Sequence, residues 1–416
     1  MFLYWQRPRR GRCRAREGVG CGVNGPVETA VLFTNNRMLN LQASAEYAAA
    51  LTNLDAVDYF WTFDELSGWF PRSMWSTRVA PMAGVLDINA THDPFLQCAA
   101  AVTGNPHTPV RLTTDAVRAR PAELVRAMSG LANSTTGRVV CAIGAGEQRQ
   151  ARPFGYKRSE GLARLEDVLR LHRLLLDADE PFDFNGNIWQ FKNGYIGTPG
   201  PRRPELWALG GGPKLIELAT KYADGFETCT PLAIPNAELW AEQVRDVRAR
   251  VEAAGRDPEA FGFGIWIAAL IHDDPKVIDA ALSNPLLSIF AAVLGRFNQR
   301  DWLREGLEPV MPAEWHYSMR LLPFDIPQTE AEDIIERVPR AMVEKSFVIG
   351  SPAQIADTAA AFVDAGATFV GIVDVFPLLA DPAEGEAAFG RGVEACALLK
   401  QRDPRHVATR PAVTNV

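Results

Sequence analysis

Six cysteines are spread through 416 residues (Cys13, Cys21, Cys98, Cys141, Cys229 and Cys396), and no two are closely paired. That excludes a disulfide framework or a paired-cysteine zinc site and fits a reducing compartment, so a cytoplasmic protein is expected. Long apolar runs are missing as well: none reaches the roughly 20 residues that cross a bilayer. An excess of positive charge is also absent. The formal net charge is −7, which argues against a generic nucleic-acid surface. The six histidines (92, 107, 172, 272, 316 and 406) show no metal-ligand spacing, so no metal is expected.

What is present is an ordinary globular composition, 47% hydrophobic and 22% charged, in a chain long enough for a large α/β core. The first 25 residues differ. Arg7, Arg9, Arg10, Arg12, Arg14 and Arg16 crowd a stretch whose only acid is Glu17. Residues 1–28 are expected to be a disordered extension or the product of a start codon placed too early, because hydrophobic periodicity begins near Thr29. Gly20-Cys21-Gly22-Val23-Asn24-Gly25 spells G-x-G-x-x-G, but it lacks the preceding strand and following helix that a dinucleotide turn needs.

From there strand-like runs alternate with helical patterns. The runs are residues 30–33, 59–63, 110–113, 139–143, 205–209, 225–228, 263–271 and 369–375. Residues 159–178 read as a helix with Leu162, Leu165, Leu169 and Leu176 on one face and Arg164, Asp167 and Arg170 elsewhere. Residues 352–365 read as another, capped by Ser351-Pro352, with Ile355, Ala359, Phe362 and Val363 inward. Eight strands interleaved with helices predict a (β/α)8 TIM barrel over residues 29–402, with insertions at the C-terminal mouth, the largest at about 282–346, and a tail at 403–416.

Such barrels carry their chemistry at the C-terminal strand ends. After the second strand stands Asp64-Glu65, followed by Trp69 and Phe70. After the third come Thr113, Thr114 and Asp115. After the fourth comes Gly144-Ala145-Gly146-Glu147. After the fifth, Gly210-Gly211-Gly212-Pro213 offers bare N–H groups at a helix start, a site for an anion, most often a phosphate. No Gly-Lys-Ser/Thr follows, so it is not a P-loop. After the sixth, Thr228 and Thr230 could complete an anion cradle, while Cys229 reads as packing and His172 as structural. His316, in the long insertion, is a candidate substrate contact. The insertion and the 69–75 loop are rich in aromatic and aliphatic residues and show no Lys/Arg cluster, which suits a hydrophobic ligand.

These stretches, in this order, resemble the bacterial-luciferase-like superfamily and, within it, the deazaflavin oxidoreductases that use coenzyme F-420, nearest to the phthiodiolone/phenolphthiodiolone dimycocerosate ketoreductases. Further matches are Pro153-Phe154-Gly155-Tyr156, Ala163-Arg164-Leu165-Glu166, Tyr222-Ala223-Asp224-Gly225 and Ser346 to Pro352. The resemblance implies hydride transfer to or from a carbonyl or alcohol carbon. It implies a cofactor phosphate on Gly210, Gly211, Gly212, Pro213 and Thr230, and a ring near Asp64, Leu112, Thr113, Thr114 and Glu147. The candidate catalytic residues are Glu147 and Glu65 as proton donor or acceptor groups and Asp64 as a positioner, with Trp69, Phe70 and His316 toward the substrate. The resemblance also implies a non-prolyl cis peptide near Arg111-Leu112-Thr113. Many relatives carry Asp-His where this chain has Asp64-Glu65. FMN in a luciferase-like monooxygenase is the alternative cofactor and activity, and a non-catalytic flavin- or lipid-binding barrel the third reading. The expected partners are a small hydrophobic substrate and, at most, a second copy of the chain in a homodimer.

Overall fold

The computed structural model describes residues 25–51 and 55–409. The arginine-rich segment, Cys13, Cys21, most of the G-x-G-x-x-G stretch and residues 410–416 lie outside the described residues. The eight strands fall where the apolar runs put them, with ends shifted by at most two residues. β1 (Glu28–Val31) leads to α1 (Leu41–Leu51), and β2 (Phe60–Thr62) to α2 (Pro94–Gly104). β3 (Val110–Asp115) leads to α3 (Pro121–Ser134), and β4 (Val139–Gly144) to α4 (Gly161–Asp177). β5 (Glu205–Leu209) leads to α5 (Pro213–Tyr222), and β6 (Gly225–Thr230) to α6 (Ala237–Ala253). β7 (Gly262–Ile271) and α7 (Pro352–Asp364), then β8 (Phe369–Asp374) and α8 (Gly385–Arg402), complete the alternation.

All barrel pairings are parallel, in the order β1-β8-β7-β6-β5-β4-β3-β2. The seam between β1 and β2 is closed by a parallel bridge between Leu32 and Trp61, with Phe33 N–H donating to the Trp61 carbonyl at 2.9 Å. β4 and β7, buried on both faces, read as continuous apolar runs, which is why they were legible. One face packs on the helices; the other fills the barrel with Ala30, Tyr59, Trp61, Val140, Trp207 and Phe369. An ion pair between Arg111 and Glu227, both fully buried, crosses this interior. The Arg111 guanidinium lies 4.3 Å from the Trp207 ring and 3.9 Å from that of Phe369.

α7 carries the expected cap. Ser351 and Gln354 form a reciprocal capping box with Pro352 at the first helical position, and Ile355, Ala359, Phe362 and Val363 are buried. α4 departs from expectation at two places. Leu162 is not on the buried face; it is 40% exposed, at the mouth. Asp167, expected to point away, is fully buried. Its carboxylate accepts the N–H groups of Asn187, Ile188 and Trp189 at 2.9, 2.7 and 3.0 Å. These residues form the turn of an antiparallel hairpin, Phe182–Asn185 with Gln190–Gly194. A helix periodicity reports the face toward the barrel; it does not see that the hairpin covers a second face and needs an acceptor there.

Between β7 and α7 the chain makes an excursion, residues 272–351, wider than the expected insertion. It contains helices at Pro275–Ala281, Pro285–Val293, Arg300–Arg304, Tyr317–Arg320, Gln328–Arg337 and Arg340–Lys345. With the loop after β2 it forms a second core over the mouth, including Phe70, Met74, Leu287, Trp302, Leu321 and Met342. Residue 403 is not loose tail: the Asp403 carboxylate accepts the Val27 N–H at 2.7 Å, and a short helix follows at Pro404–Thr409. No single helix among the described residues is long and apolar enough to cross a membrane.

Candidate active site

The strand ends and the excursion enclose a cavity of about 680 Å³. Its acidic side is built by three loops. After β2, Asp64 receives Arg118 at 3.0 Å and 2.9 Å on its two oxygens and the Thr114 hydroxyl at 2.7 Å. Its own N–H donates to Thr113 Oγ1 at 3.2 Å. Burial raises the Asp64 pKa, with Arg118 opposing. The next residues are pinned to the turn after β4: Leu66 N–H donates to Gln150 Oε1 at 2.8 Å, and Arg149 donates to the Ser67 carbonyl.

That pinning brings Glu65 and Glu147 onto one cation. Arg149, 1% exposed, pairs with Glu65 at 2.5 Å and with Glu147 at 2.8 Å. Its guanidinium stacks 3.5 Å over the Trp69 ring. The two carboxylates keep 15% and 20% of their side chains accessible, and both line the cavity. Burial raises the Glu65 pKa to about 7; Arg149 opposes this and Glu147 adds to it. Burial also raises that of Glu147, against Arg149. Burial disfavours the charged Arg149, but Glu147 and Glu65 outweigh it and its pKa rises. One positive charge between two carboxylates leaves a surplus negative charge in a desolvated place, where one proton is readily retained.

At the end of β5, the strand paired with β4, Gly210, Gly211 and Gly212 precede Pro213 at the start of α5. Gly210 has φ of +148°, a region that favours glycine. A Cβ at Gly211 would meet Ala233 Cβ at 3.6 Å and Thr228 Oγ1 at 3.8 Å, ordinary contacts. Thr228 Oγ1 is buried and has no hydrogen-bond partner among the described residues. An unsatisfied hydroxyl beside a helix start with bare N–H groups fits a phosphate.

The roof is aromatic. Tyr317 packs 4.5 Å from Phe297 and 5.8 Å from Trp69, centroid to centroid, and stacks on His316 at 5.4 Å. An adjoining hollow of about 530 Å³ shares Ala233, Ile234, Gln243, Asp301 and Arg304 with the cavity. Its two arginines are each paired, Arg304 with Asp301 at 2.7 Å and Arg296 with Glu305 at 2.6 Å.

The structure thus brings Asp64, Glu65, Trp69, Thr113, Thr114, Glu147, Gly210 to Pro213 and His316 to one cavity. It does not bring Leu112, Phe70 or Thr230 there. Leu112 packs between sheet and helices, because neighbouring strand residues face opposite sides and Thr113 takes the mouth. Phe70 belongs to the second core. Thr230 is buried beyond the cavity wall, and Thr228 stands beside the glycine turn instead. The described residues hold no cis peptide at 111–113; their one cis bond is Thr230–Pro231. Cys229 is buried and unpaired, and burial raises its pKa, as befits packing. His172 is buried, and burial lowers its pKa to about 3. Sequence reasoning missed Arg118 and Arg149. They stand three and five residues past the ends of β3 and β4, the one signal that could have marked them.

The sequence model of the luciferase-like monooxygenase family matches residues 34–368. A phthiodiolone/phenolphthiodiolone dimycocerosates ketoreductase of Mycobacterium sp. (strain JLS) is 26% identical over 358 residues, 84% of this chain and 89% of that protein. An F420-dependent glucose-6-phosphate dehydrogenase of Gordonia bronchialis is 25% identical over 273 residues, 63% of this chain and 72% of that protein. Among solved structures, an F420-dependent secondary alcohol dehydrogenase in complex with an F420-acetone adduct superposes with a TM-score of 0.65 at 16% identity. It covers 89% of this chain and 99% of that one, a likeness of fold.

Proposed function

The chain belongs to the luciferase-like monooxygenase family, and from that premise we propose that it is a coenzyme F-420-dependent oxidoreductase acting on a carbonyl or alcohol carbon of a hydrophobic substrate. The observation that carries the reading is the pair Glu65 and Glu147, held on Arg149 in a cavity that is also lined by a glycine-rich helix start. The deazaflavin and alcohol or carbonyl names of the relatives are consistent with it.

In this reading Gly211, Gly212 and the Thr228 hydroxyl hold the cofactor phosphate, and a bound deazaflavin supplies or accepts the hydride. The chain's own work is with the proton. For reduction, Glu65 or Glu147 carries a proton and gives it to the carbonyl oxygen; for oxidation, the same pair takes the alcohol proton. Arg149 fixes both carboxylates, and Arg118 with Thr114 fixes Asp64 beside them. Trp69, Phe297 and Tyr317 exclude water and meet the substrate's apolar part. Much of the apolar sequence in the insertion is core rather than binding wall. Phe290, Leu294 and Met319 do face the cavity, and they favour a keto-lipid or polyketide-like chain over a sugar phosphate.

Ultraviolet–visible titration with coenzyme F-420 and with FMN, followed by turnover of long-chain ketones and of glucose 6-phosphate with reduced deazaflavin, tests this. Binding of F-420 and reduction of a long-chain ketone are expected. Binding of FMN alone would transfer the site to the monooxygenase reading. Tight binding without any turnover would leave a non-catalytic barrel. Turnover of glucose 6-phosphate and of no ketone would overturn the hydrophobic substrate.

A further inference from the structure

Four cationic side chains line the cavity: Arg118, Arg158, Lys214 and Arg304. Three are neutralised by neighbours. Arg118 meets Asp64 and Asp115, Lys214 meets Glu217 at 3.1 Å, and Arg304 meets Asp301 at 2.7 Å. Arg158 differs. Among the described residues no carboxylate lies within 4.0 Å of it; Glu147 and Asp115 act on it only through space. Its Nε is buried and has no hydrogen-bond partner among the described residues. Among the described residues its side chain makes one hydrogen bond, a long one, Nη2 to Ser318 Oγ at 3.5 Å. Burial lowers its pKa, so the charge is held at a cost.

We propose that Arg158 and Ser318 form an anion subsite in the substrate part of the cavity, which takes a carboxylate or phosphate carried by an otherwise apolar substrate. The inference rests on the oxidoreductase reading and narrows its substrate to an amphipathic keto or hydroxy compound. Two elements far apart in sequence meet to build the subsite. Arg158 comes from a turn between β4 and α4, and Ser318 from the helix Tyr317–Arg320 of the excursion. The walls beside it are Leu162, Tyr317 and Met319, which offer an apolar chain rather than a set of sugar-hydroxyl partners. Ser318 Oγ is held by His316 Nδ1 at 3.0 Å, so its position is fixed before an anion arrives. The cofactor phosphate has its own donors at Gly211, Gly212 and Thr228, on the loop after β5 and on β6, and does not require this arginine. An unpaired, partly desolvated guanidinium gains most from an anion that brings two oxygens to its fork.

Isothermal titration of the full chain, without cofactor, with octanoate and with its neutral isostere octanamide tests the subsite. The parent is expected to bind octanoate roughly 10- to 100-fold more tightly than octanamide, the range of a charge-assisted hydrogen bond. Arg158→Met should abolish that preference and leave octanamide affinity unchanged; Arg158→Lys should keep part of it; Ser318→Ala should reduce it. The affinity of Arg158→Met for coenzyme F-420, measured by absorbance, should equal that of the parent. No preference in the parent, or a preference that survives Arg158→Met, overturns the proposal. So does a loss of F-420 affinity in Arg158→Met, which would assign the arginine to the cofactor's acidic tail. Failure of the oxidoreductase reading is a separate result, absent F-420 binding by the parent, and the octanoate comparison does not depend on it.

Discussion

Replacing Gly211 with aspartate separates a phosphate site from a plain turn. The backbone there is not in the left-handed region, and a Cβ would make only ordinary contacts with Ala233 and Thr228 at 3.6 and 3.8 Å. The barrel should therefore fold with a side chain at 211, and an acid near the start of α5 even suits the helix dipole. What changes is the space the anion needs. A carboxylate placed ~5 Å from a phosphate repels each unit of its charge by ~3 kcal/mol at an effective dielectric of ~20. That is a loss of ~100-fold or more in affinity. Gly211→Asn has nearly the same shape and no charge, so the difference between the two variants isolates the electrostatic part, and salt should shrink it. Gly210→Ala is the contrasting control. Its φ of +148° and a Cβ only 2.9 Å from Leu215 Cδ1 should cost folding stability, roughly 1–3 kcal/mol, seen as a lower melting temperature. The assay is absorbance titration with F-420 and with FMN, beside circular dichroism. If folded Gly211→Asp binds cofactor as tightly as Gly211→Asn, the phosphate lies elsewhere.

Glu65→Gln and Glu147→Gln should each lower turnover by ~10²–10⁴-fold while cofactor affinity changes little. Because burial raises the Glu65 pKa to about 7, its carboxyl holds a proton below that pH and loses it above. Carbonyl reduction should therefore fall as pH rises through about 7, and Glu65→Gln should erase that limb; an unchanged pH profile makes Glu65 a loop residue. Asp167→Ala leaves three hairpin N–H groups without their acceptor. It should destabilise the protein by about 3 kcal/mol while the variant's folded fraction binds cofactor normally, as denaturant titration and absorbance would report.

The barrel was legible because its evidence is local. Strands β4 and β7 are buried on both faces and spell unbroken apolar runs, and Ser351-Pro352 announces α7 by its cap. The loops that carry Asp64, Glu147 and Gly211 follow directly from the strand ends. What stayed hidden depends on pairs distant in sequence. Nothing near Arg149 in the chain says that Glu65, more than eighty residues earlier, will share it. Nothing near Asp167 says that the turn at Asn187 will need its oxygens. The missed residues are mostly arginines for a physical reason. A long, fully charged side chain reads as surface in any composition-based view, yet it is the group able to reach across a cavity and bind two carboxylates at once.

If Glu65 takes the catalytic place of the histidine that many resembling proteins carry, its pairing with Arg149 supplies the physical reason that it can. A glutamic acid with a pKa of about 7 holds its proton at least as well as an imidazole of ~6.5. The charge differs: histidine alternates between +1 and 0, glutamic acid between 0 and −1. Adding the fixed charge of Arg149 restores the balance, so Glu65 and Arg149 together alternate between +1 and 0 beside Glu147. On this argument Glu65→His alone should be poorly active, because it sets a second cation against a buried guanidinium. Glu65→His with Arg149→Met should recover turnover and show a pH limb of its own, since one titrating cation again faces Glu147. Steady-state rates across pH 5–9 for the two single variants and the double decide it. A double variant no better than Glu65→His alone would mean that Arg149 only braces the loop and that the site's charge was never the reason for its place.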